Sequence, residues 1–448
     1  MQSLFFFLIA LAILIVVHEF GHFWVARRCG VKVLKFSVGF GTPLWQKQGR
    51  DGTEYVLAAI PLGGFVKMLD EREGEVPAED LDKAFNRQPL RSRVAIVAAG
   101  PIANLLFAVV AYWFIFVVGI PGVRSIIGEV AVDSPAAYAQ LIVGDEIKAV
   151  NEQMTPTWLS VHKALSKLAQ TGGVAELTII SGGVEIQQEL EVLKKEFDPS
   201  KATSLLMELG ITPVRVELKP IIGSISKGGA AKQAGLQVGD LLVSANGELI
   251  NSWMAWVELI QSNPNTLLNI MVERSGKAIN LSLTPIMTEE NVGKIGAGVD
   301  SSHSKVPAEL QAELRYGPFS AIEHAVYETW HFSTSTLKSL AGMLTGSVSS
   351  KNIGGPISIA QFAGSSADRG LISFVSFLAM ISISLGILNL LPIPILDGGH
   401  LAMYLIEWLR GAPLSEQAQL QGQKIGLLLL LMLMFLAFFN DLSRLFGE

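Results

Sequence analysis

Unbroken apolar runs, rather than alternation, dominate both ends of this chain. Residues 1–28, 92–118, 371–396 and 425–441 carry few charges or none. Each of the first three is long enough for the helix of about 20 residues that crosses a bilayer core. The fourth is shorter and Leu-rich, and spans with some extension. Between these runs lie a polar segment at 29–91, two β-rich stretches at 119–212 and 213–290, a mixed segment at 291–370 and a polar segment at 397–424. The pattern predicts a polytopic α-helical membrane protein with four transmembrane helices and a β-rich insert between the second and third. The first run lacks a basic leader and a small-residue cleavage site, so it reads as a span rather than a removed signal peptide.

Lys and Arg near membrane ends mark the cytoplasmic side. Arg27, Arg28, Lys32, Lys35, Lys47, Lys67, Arg87, Arg91 and Arg93 all fall at the facing ends of the first two runs or between them, and Arg410 and Lys424 between the last two. Those segments are expected to be cytoplasmic, which puts the N-terminus and the insert outside. Within the first of them, Glu54–Leu69 reads as strand, Pro-Leu-Gly-Gly turn, strand. Pro307–Trp330 mixes charged and aromatic residues in a way that suggests an amphipathic helix along the membrane surface.

Sliding the insert against itself by 95 residues brings Ile127-Gly128 onto Ile222-Gly223, Ala136 onto Ala231, Leu141 onto Leu236, Gly144-Asp145 onto Gly239-Asp240, Asn151 onto Asn246 and Trp158 onto Trp253. Such self-similarity signals a duplicated domain. Each copy reads as a strand, a helical turn, a Gly-Asp turn into an apolar strand, a longer helix and two final strands. Both copies resemble the circularly permuted PDZ domains of bacteria, which bind an extended peptide by adding it to a sheet edge. The first departs from the pattern, with Gln140 where the second has Gly235 and Glu152 where it has Gly247. A pair of bulky domains that gates access is the other reading.

Composition excludes little but does so clearly. A formal charge of −6 offers no basic surface for nucleic acid. The single cysteine, Cys29, cannot form an intramolecular disulfide.

Chemistry concentrates in the first run, where His18-Glu19-Phe20-Gly21-His22 is an HExxH motif. On a helix the two histidines lie four apart on one face, so both imidazoles reach a single metal ion and Glu19 can serve as general base. Zinc suits two neutral imidazoles and a carboxylate with one position open to water. Ionisable groups at membrane depth cost several kcal/mol each unless paired or functional, and a shared metal is the natural partner for three of them. Of the seven histidines, only His18, His22 and His400 lie in or beside the apolar runs, and Asp397 closes the third run. Asp397 and His400 are therefore both candidates for the third ligand; a helix cap is the other role open to Asp397.

With Asn389-Leu390-Leu391-Pro392-Ile393-Pro394-Ile395-Leu396-Asp397-Gly398-Gly399 as a second motif, the chain resembles the bacterial site-2 proteases of family M50, of the regulator-of-sigma-E type, over almost its full length. The likeness extends to Ala99-Gly100-Pro101-Ile102-Ala103-Asn104 and to Asn352-Ile353-Gly354-Gly355-Pro356, for which the residues themselves suggest no catalytic role. The resemblance implies that His18, His22 and Asp397 bind zinc, that Glu19 is the base, and that Asn389, Pro392 and Pro394 help to hold the substrate. It also implies an inner-membrane protease with tandem periplasmic PDZ domains and an active site near the cytoplasmic side. A membrane-reentrant β-loop at 54–69 is part of the likeness, and its edge at Gly63, Gly64 and Phe65 is an expected substrate contact. Implied partners are the lipid bilayer, single-span membrane proteins such as a trimmed anti-sigma factor or a leftover signal peptide, and a peptide or chain end at the PDZ domains. From the residues alone, Asn389 serves equally well to satisfy carbonyls freed by the two prolines. A binding scaffold with a structural metal is the competing class. A transporter would need further polar residues along the second and fourth runs, and these are almost absent.

Overall fold

The computed structural model describes residues 2–194, 202–214, 218–226, 228–288, 291–300 and 306–446. Two compact units divide it: Met1–Ile120 with Arg315–Glu448, and Pro121–Leu314.

The first unit contains helices α1 (Gln2–Arg28), α2 (Leu90–Val118), α3 (Pro318–Thr345), α4 (Pro356–Asp368), α5 (Leu371–Leu390), α6 (Asp397–Arg410) and α7 (Glu416–Phe446), with strands β1 (Val33–Gln48) and β2 (Glu54–Met68) between α1 and α2. Helices α1, α2, α5 and α7 are long and apolar enough to cross a membrane. Two of these depart from expectation. α5 stops at Leu390 rather than running to residue 396, because Pro392 and Pro394 lack amide hydrogens and push the residues before them out of the helical region. α7 begins at Glu416 rather than 425: the polar stretch from Glu416 to Lys424 carries four Gln with Glu, Ala, Leu and Lys, all of which propagate a helix well.

α2 is the centre of the unit. Its residues Ala108, Ala111, Tyr112, Ile115 and Phe116 form one buried cluster with Ala321 and Ala325 of α3 and with Ala379, Ile383 and Ile387 of α5. Small residues let the helices close up, as expected where lipid offers no hydrophobic drive for helix association. A side chain at Gly21 of α1 would collide with the Ala99 carbonyl, and one at Gly386 of α5 would sit 3.0 Å from the Pro101 carbonyl oxygen. Ser382, fully buried one turn earlier on α5, donates a 2.8 Å hydrogen bond to the Asn104 carbonyl.

The amphipathic helix anticipated over Pro307–Trp330 is displaced. Gln311–Leu314 is a strand, and the helix runs from Pro318 to Thr345, started by proline at a position where a missing amide hydrogen costs nothing. It buries Ala321, Ala325 and Thr329 and leaves Phe319, Ile322, Val326 and Trp330 exposed. The sheet after α1 is larger than expected. Glu54–Leu57 run alongside Lys35–Val38 in the same direction and Gly64–Lys67 in the opposite one, so the chain doubles back between Leu57 and Gly64, as the strand–turn–strand pattern requires. A further reversal lies at Gly49–Thr53, where Gly52 takes a φ of +82°. Lys35–Val38 have partners on both sides, Glu54–Leu57 on one and Gly64–Lys67 on the other, while Gln46–Gln48 pair with Glu54–Val56. The Gly64–Met68 segment of β2 is thus an edge with no second strand partner among the described residues.

The second unit contains the duplication. In the first copy Gln153–Met154, Glu146–Val150, Gly173–Ser181 and Val184–Val192 form a four-stranded antiparallel sheet in that order. In the second, Glu248–Leu249, Leu241–Ala245, Leu268–Arg274 and Lys277–Leu283 repeat it. A separate pair completes each copy, Ile127–Val130 with Ile211–Pro213 and Ile222–Ile225 with Ala297–Val299. The second copy therefore extends to Val299 rather than ending at residue 290, since its last strand pairs with its first. Gly144 and Gly239 adopt φ of +92° and +93°, so both Gly-Asp turns need the left-handed freedom of glycine.

The aspartates of these turns are buried, and each accepts the amide hydrogen three residues earlier, Ile142 for Asp145 and Gln237 for Asp240. Only Asp240 has an arginine fork: Arg274 donates through Nε at 2.7 Å and Nη2 at 2.8 Å. Burial alone would raise the Asp240 carboxyl, but the Arg274 guanidinium and the Gln237 amide outweigh it and hold the group below its usual range. A carboxylate depressed in the folded state stabilises above its unfolded pKa. That contribution is intact at neutral pH, starts to fall below about pH 4, and is gone only beneath the depressed folded value. Arg274→Met leaves Asp240 charged and unpaired in the interior and is expected to destabilise this copy by about 3 kcal/mol. Faster amide hydrogen exchange in its sheet, with the first copy unaffected, is the measurement that checks this.

Candidate metal centre

The HExxH residues sit in the second half of α1, whose helical spacing turns His18 and His22 to the same side. Both face Asp397, the first residue of α6. His18 Nε2 and His22 Nε2 are 3.2 Å apart, and Asp397 Oδ2 lies 3.2 Å from the first and 3.6 Å from the second. Leu396 holds the capping position of α6, and among the described residues the Asp397 carboxylate pairs only with the two histidines, so the capping role is set aside. His400 is not part of the cluster. Of the two residues the sequence left open, Asp397 and not His400 lies with the two imidazoles.

Three groups test whether this arrangement fits zinc. Metal–ligand bonds of about 2.0–2.2 Å at tetrahedral angles separate ligand atoms by roughly 3.3 Å, the spacing seen here. The ring atoms on the far side have partners of their own: His22 Nδ1 lies 2.8 Å from the Ile96 carbonyl oxygen and His18 Nδ1 lies 3.2 Å from the Asn104 amide nitrogen. A ring N–H donated to a carbonyl fixes the tautomer and leaves Nε2 with a free lone pair. Finally, Gly100 of α2 faces the cluster. A Cβ there would collide with His22 Nε2 and lie 2.7 Å from His22 Cε1 and 2.8 Å from His18 Cε1. The absence of a side chain keeps that space open. The donor set and its surroundings fit the metal.

The loop carrying Asp397 is built to present it. After α5 ends, Ile393 and Ile395 donate backbone bonds to Leu391 and Ile393, giving a tight turn through the two prolines. Gly398 packs against the carbonyls of Leu390 and Leu391, and Gly399 against that of Ile393, so neither position admits a side chain. Pro394 in turn lies under α7, where Gly422 and Gly426 allow the close approach. The sequence had assigned Pro392 and Pro394 to substrate; the observed part of their role is to end α5 and shape this turn.

Glu19 is not among the converging ligand atoms. Its charge acts on His22, His18 and Asp397, and its Cγ would be 2.9 Å from a Cβ built at Gly64. The free edge of β2 therefore starts beside the glutamate. Phe65, next along that edge, stacks on Phe40 at 6.2 Å, and a Cβ at Gly63 would collide with the Phe40 ring. Asn389 is half-buried in the last turn of α5, and its amide has no hydrogen-bond partner among the described residues, so it is not occupied by carbonyls the prolines release.

Sequence reasoning named Gly100 and Asn104 only as part of a family motif without a catalytic role, and missed the Ile96 carbonyl. The signal available for two of them was the spacing: Gly100 and Asn104 are four apart on α2 and so share a face, which is the face turned to the histidines.

A family model for peptidase family M50 matches residues 6–433. The chain belongs to peptidase family M50. It is 46% identical over 441 residues to the regulator of sigma-E protease RseP of Salmonella typhimurium strain 14028s, covering 98% of each chain. It is 43% identical to the protein of that name from Escherichia coli K12, again over 98% of each. A putative zinc metalloprotease of Vibrio cholerae is 44% identical over 445 residues, with 98% of each covered. Among solved structures, a PDZ domain of an SdrC-like protein from Listeria monocytogenes matches at a TM-score of 0.18 and 16% identity, covering 20% of this chain and 96% of that one, too slight a likeness to carry weight. This member of M50 is a zinc metalloprotease with four apolar helices of membrane-spanning length.

Proposed function

We propose that the chain hydrolyses peptide bonds inside the transmembrane segments of single-span membrane proteins, with His18, His22 and Asp397 as zinc ligands and Glu19 as general base. The observation that carries this reading is the convergence of three ligand atoms from α1 and α6 within 4.8 Å of one another, on helices of which α1 is apolar enough to span. Bound zinc supplies a Lewis acid that polarises the scissile carbonyl and acidifies water. Glu19 takes the proton that the attacking water loses as its oxygen bonds to the carbonyl carbon. It returns that proton to the nitrogen as the carbon–nitrogen bond breaks.

A helical substrate hides its amides in its own hydrogen bonds and must be opened before attack. The Gly64–Met68 edge, starting beside Glu19, offers unpaired backbone groups to an extended segment. Exposed Phe40, Leu44, Trp45, Leu57 and Ile60 make the surrounding sheet apolar enough to dip into lipid. The unpartnered Asn389 amide is suited to donate to a substrate carbonyl. Loop basicity supports an inner-membrane orientation with the repeat domains periplasmic and the site near the cytoplasm. A groove of about 330 Å³ in the second repeat, lined by Trp253, Trp256, Val257, Ile260 and Lys294, suits a peptide strand or chain end. The relatives are named as regulators of sigma-E, and an anti-sigma factor is the substrate we propose for this chain.

The test combines metal content with proteolysis. Purified protein is expected to hold one zinc and to cleave a model transmembrane peptide; Asp397→Ala is expected to lose the metal and reduce cleavage to background. Full zinc loading of Asp397→Ala would remove the proposed ligand set.

A further inference from the structure

We infer that Asn104 is a positioning residue for the metal centre: its side-chain oxygen accepts the Nδ1 proton of His18 and so holds that ring in the tautomer whose Nε2 can ligate. The inference rests on the zinc site proposed above. Asn104 is completely buried on the face of α2 that carries Gly100 one turn earlier. Its amide nitrogen lies 3.2 Å from His18 Nδ1, while its side-chain oxygen is buried with no partner.

The two ends of an amide are nearly the same shape, and which one faces a neighbour follows from the hydrogen bonds each arrangement permits. If the amide nitrogen donates to Nδ1, the imidazole proton must sit on Nε2, the atom 3.2 Å from both His22 Nε2 and Asp397 Oδ2. A protonated Nε2 cannot bind a metal. Turning the amide by 180° sets its oxygen against an Nδ1–H and frees the Nε2 lone pair. Either orientation makes one hydrogen bond to the ring, so the pocket alone does not choose between them. Ligation does, because only the second leaves an electron pair for zinc. Asn104 therefore does for His18 what the Ile96 carbonyl, at 2.8 Å, does for His22. A backbone carbonyl is available for only one ring. The Asn104 backbone is itself pinned by the Ser382 hydroxyl, and Gly386 of α5 packs so close that a side chain there would come within 3.4 Å of the Asn104 Cβ.

The test measures zinc affinity of the full-length protein by chelator competition, with the visible spectrum of the cobalt-substituted form as a second readout. Asn104→Leu keeps the volume and removes the acceptor; it is expected to weaken zinc binding by about 10- to 100-fold, the usual effect of losing an outer partner of a ligand histidine. Asn104→Asp, which can only accept, is expected to bind zinc at least as tightly as the unaltered protein and to keep its cobalt spectrum. Should Asn104→Leu fail to fold, Asn104→Ala carries the same expectation. Wild-type affinity in the Leu or Ala variant overturns the inference, and so does an Asp variant as weak as Leu, since packing rather than proton acceptance would then be at work. His18→Ala separates the two levels. If it leaves zinc affinity unchanged, the ligand set itself fails; if it abolishes binding while Asn104→Leu does not weaken it, only the role of Asn104 fails.

Discussion

Glu19→Gln is expected to leave zinc bound and to slow cleavage of a transmembrane peptide by roughly 10²- to 10⁴-fold, the range associated with losing a positioned general base. The substitution is nearly isosteric, and Glu19 lies outside the converging ligand atoms, so nothing that holds the metal is removed. What changes is basicity. An amide in that position can neither take the proton of the attacking water nor deliver one to the leaving nitrogen. Metal analysis together with single-turnover cleavage checks both halves. A Gln variant that still cuts would remove the base assignment. A variant that loses zinc would show that the carboxylate supports ligation instead. The same experiment separates an enzyme from a membrane-anchored scaffold with a structural metal, for which Glu19 should not matter.

Much of this site is legible in sequence because its parts are local or unusual in their setting. His18 and His22 lie one helical turn apart within an apolar run, and polar groups in such a run call for a common partner. Asp397 is marked by the apolar span before it and the glycine pair after it. What was not legible depends on contacts between distant segments. The sheet after α1 was read as a short hairpin because Pro61-Leu62-Gly63-Gly64 has the composition of a turn, and the chain does double back there; what passed unnoticed is that Val33–Gln48 join the sheet, with a further reversal at Asp51-Gly52. The second repeat was ended too early because its closing strand at Ala297–Val299 follows a polar stretch and is defined only by pairing with Ile222–Ile225. α5 was drawn too long because apolar residues continue through Leu396, although the two prolines already carried the reason for stopping at Leu390. Asn104 could be placed on a helix face from sequence, but its neighbour His18 is 86 residues away and belongs to another helix.

Gly100 shows how far a single missing side chain can matter. Gly100→Ala is expected to abolish stoichiometric zinc binding and to lower proteolysis by about 10²-fold or more, on the scale of a displacement of about 1 Å at a reacting centre. Within a helix, alanine is intrinsically better than glycine by roughly 1 kcal/mol, so backbone propensity opposes any loss of stability. The cost arises at the cluster, where the new methyl would overlap His22 Nε2 and press on His22 Cε1 and His18 Cε1. His22 cannot simply move aside, because its Nδ1 is tied to Ile96 at 2.8 Å and the ring is buried. Retreat of α2 would pull apart the close packing of Gly21 of α1 on the Ala99 carbonyl one residue earlier. The displacement must therefore be absorbed by the ligands. Unchanged thermal unfolding of the metal-free forms alongside lost zinc binding is the expected signature, since bound zinc would itself stabilise the unaltered protein. Full zinc loading of Gly100→Ala would mean that the two imidazoles do not share a metal over this face of α2.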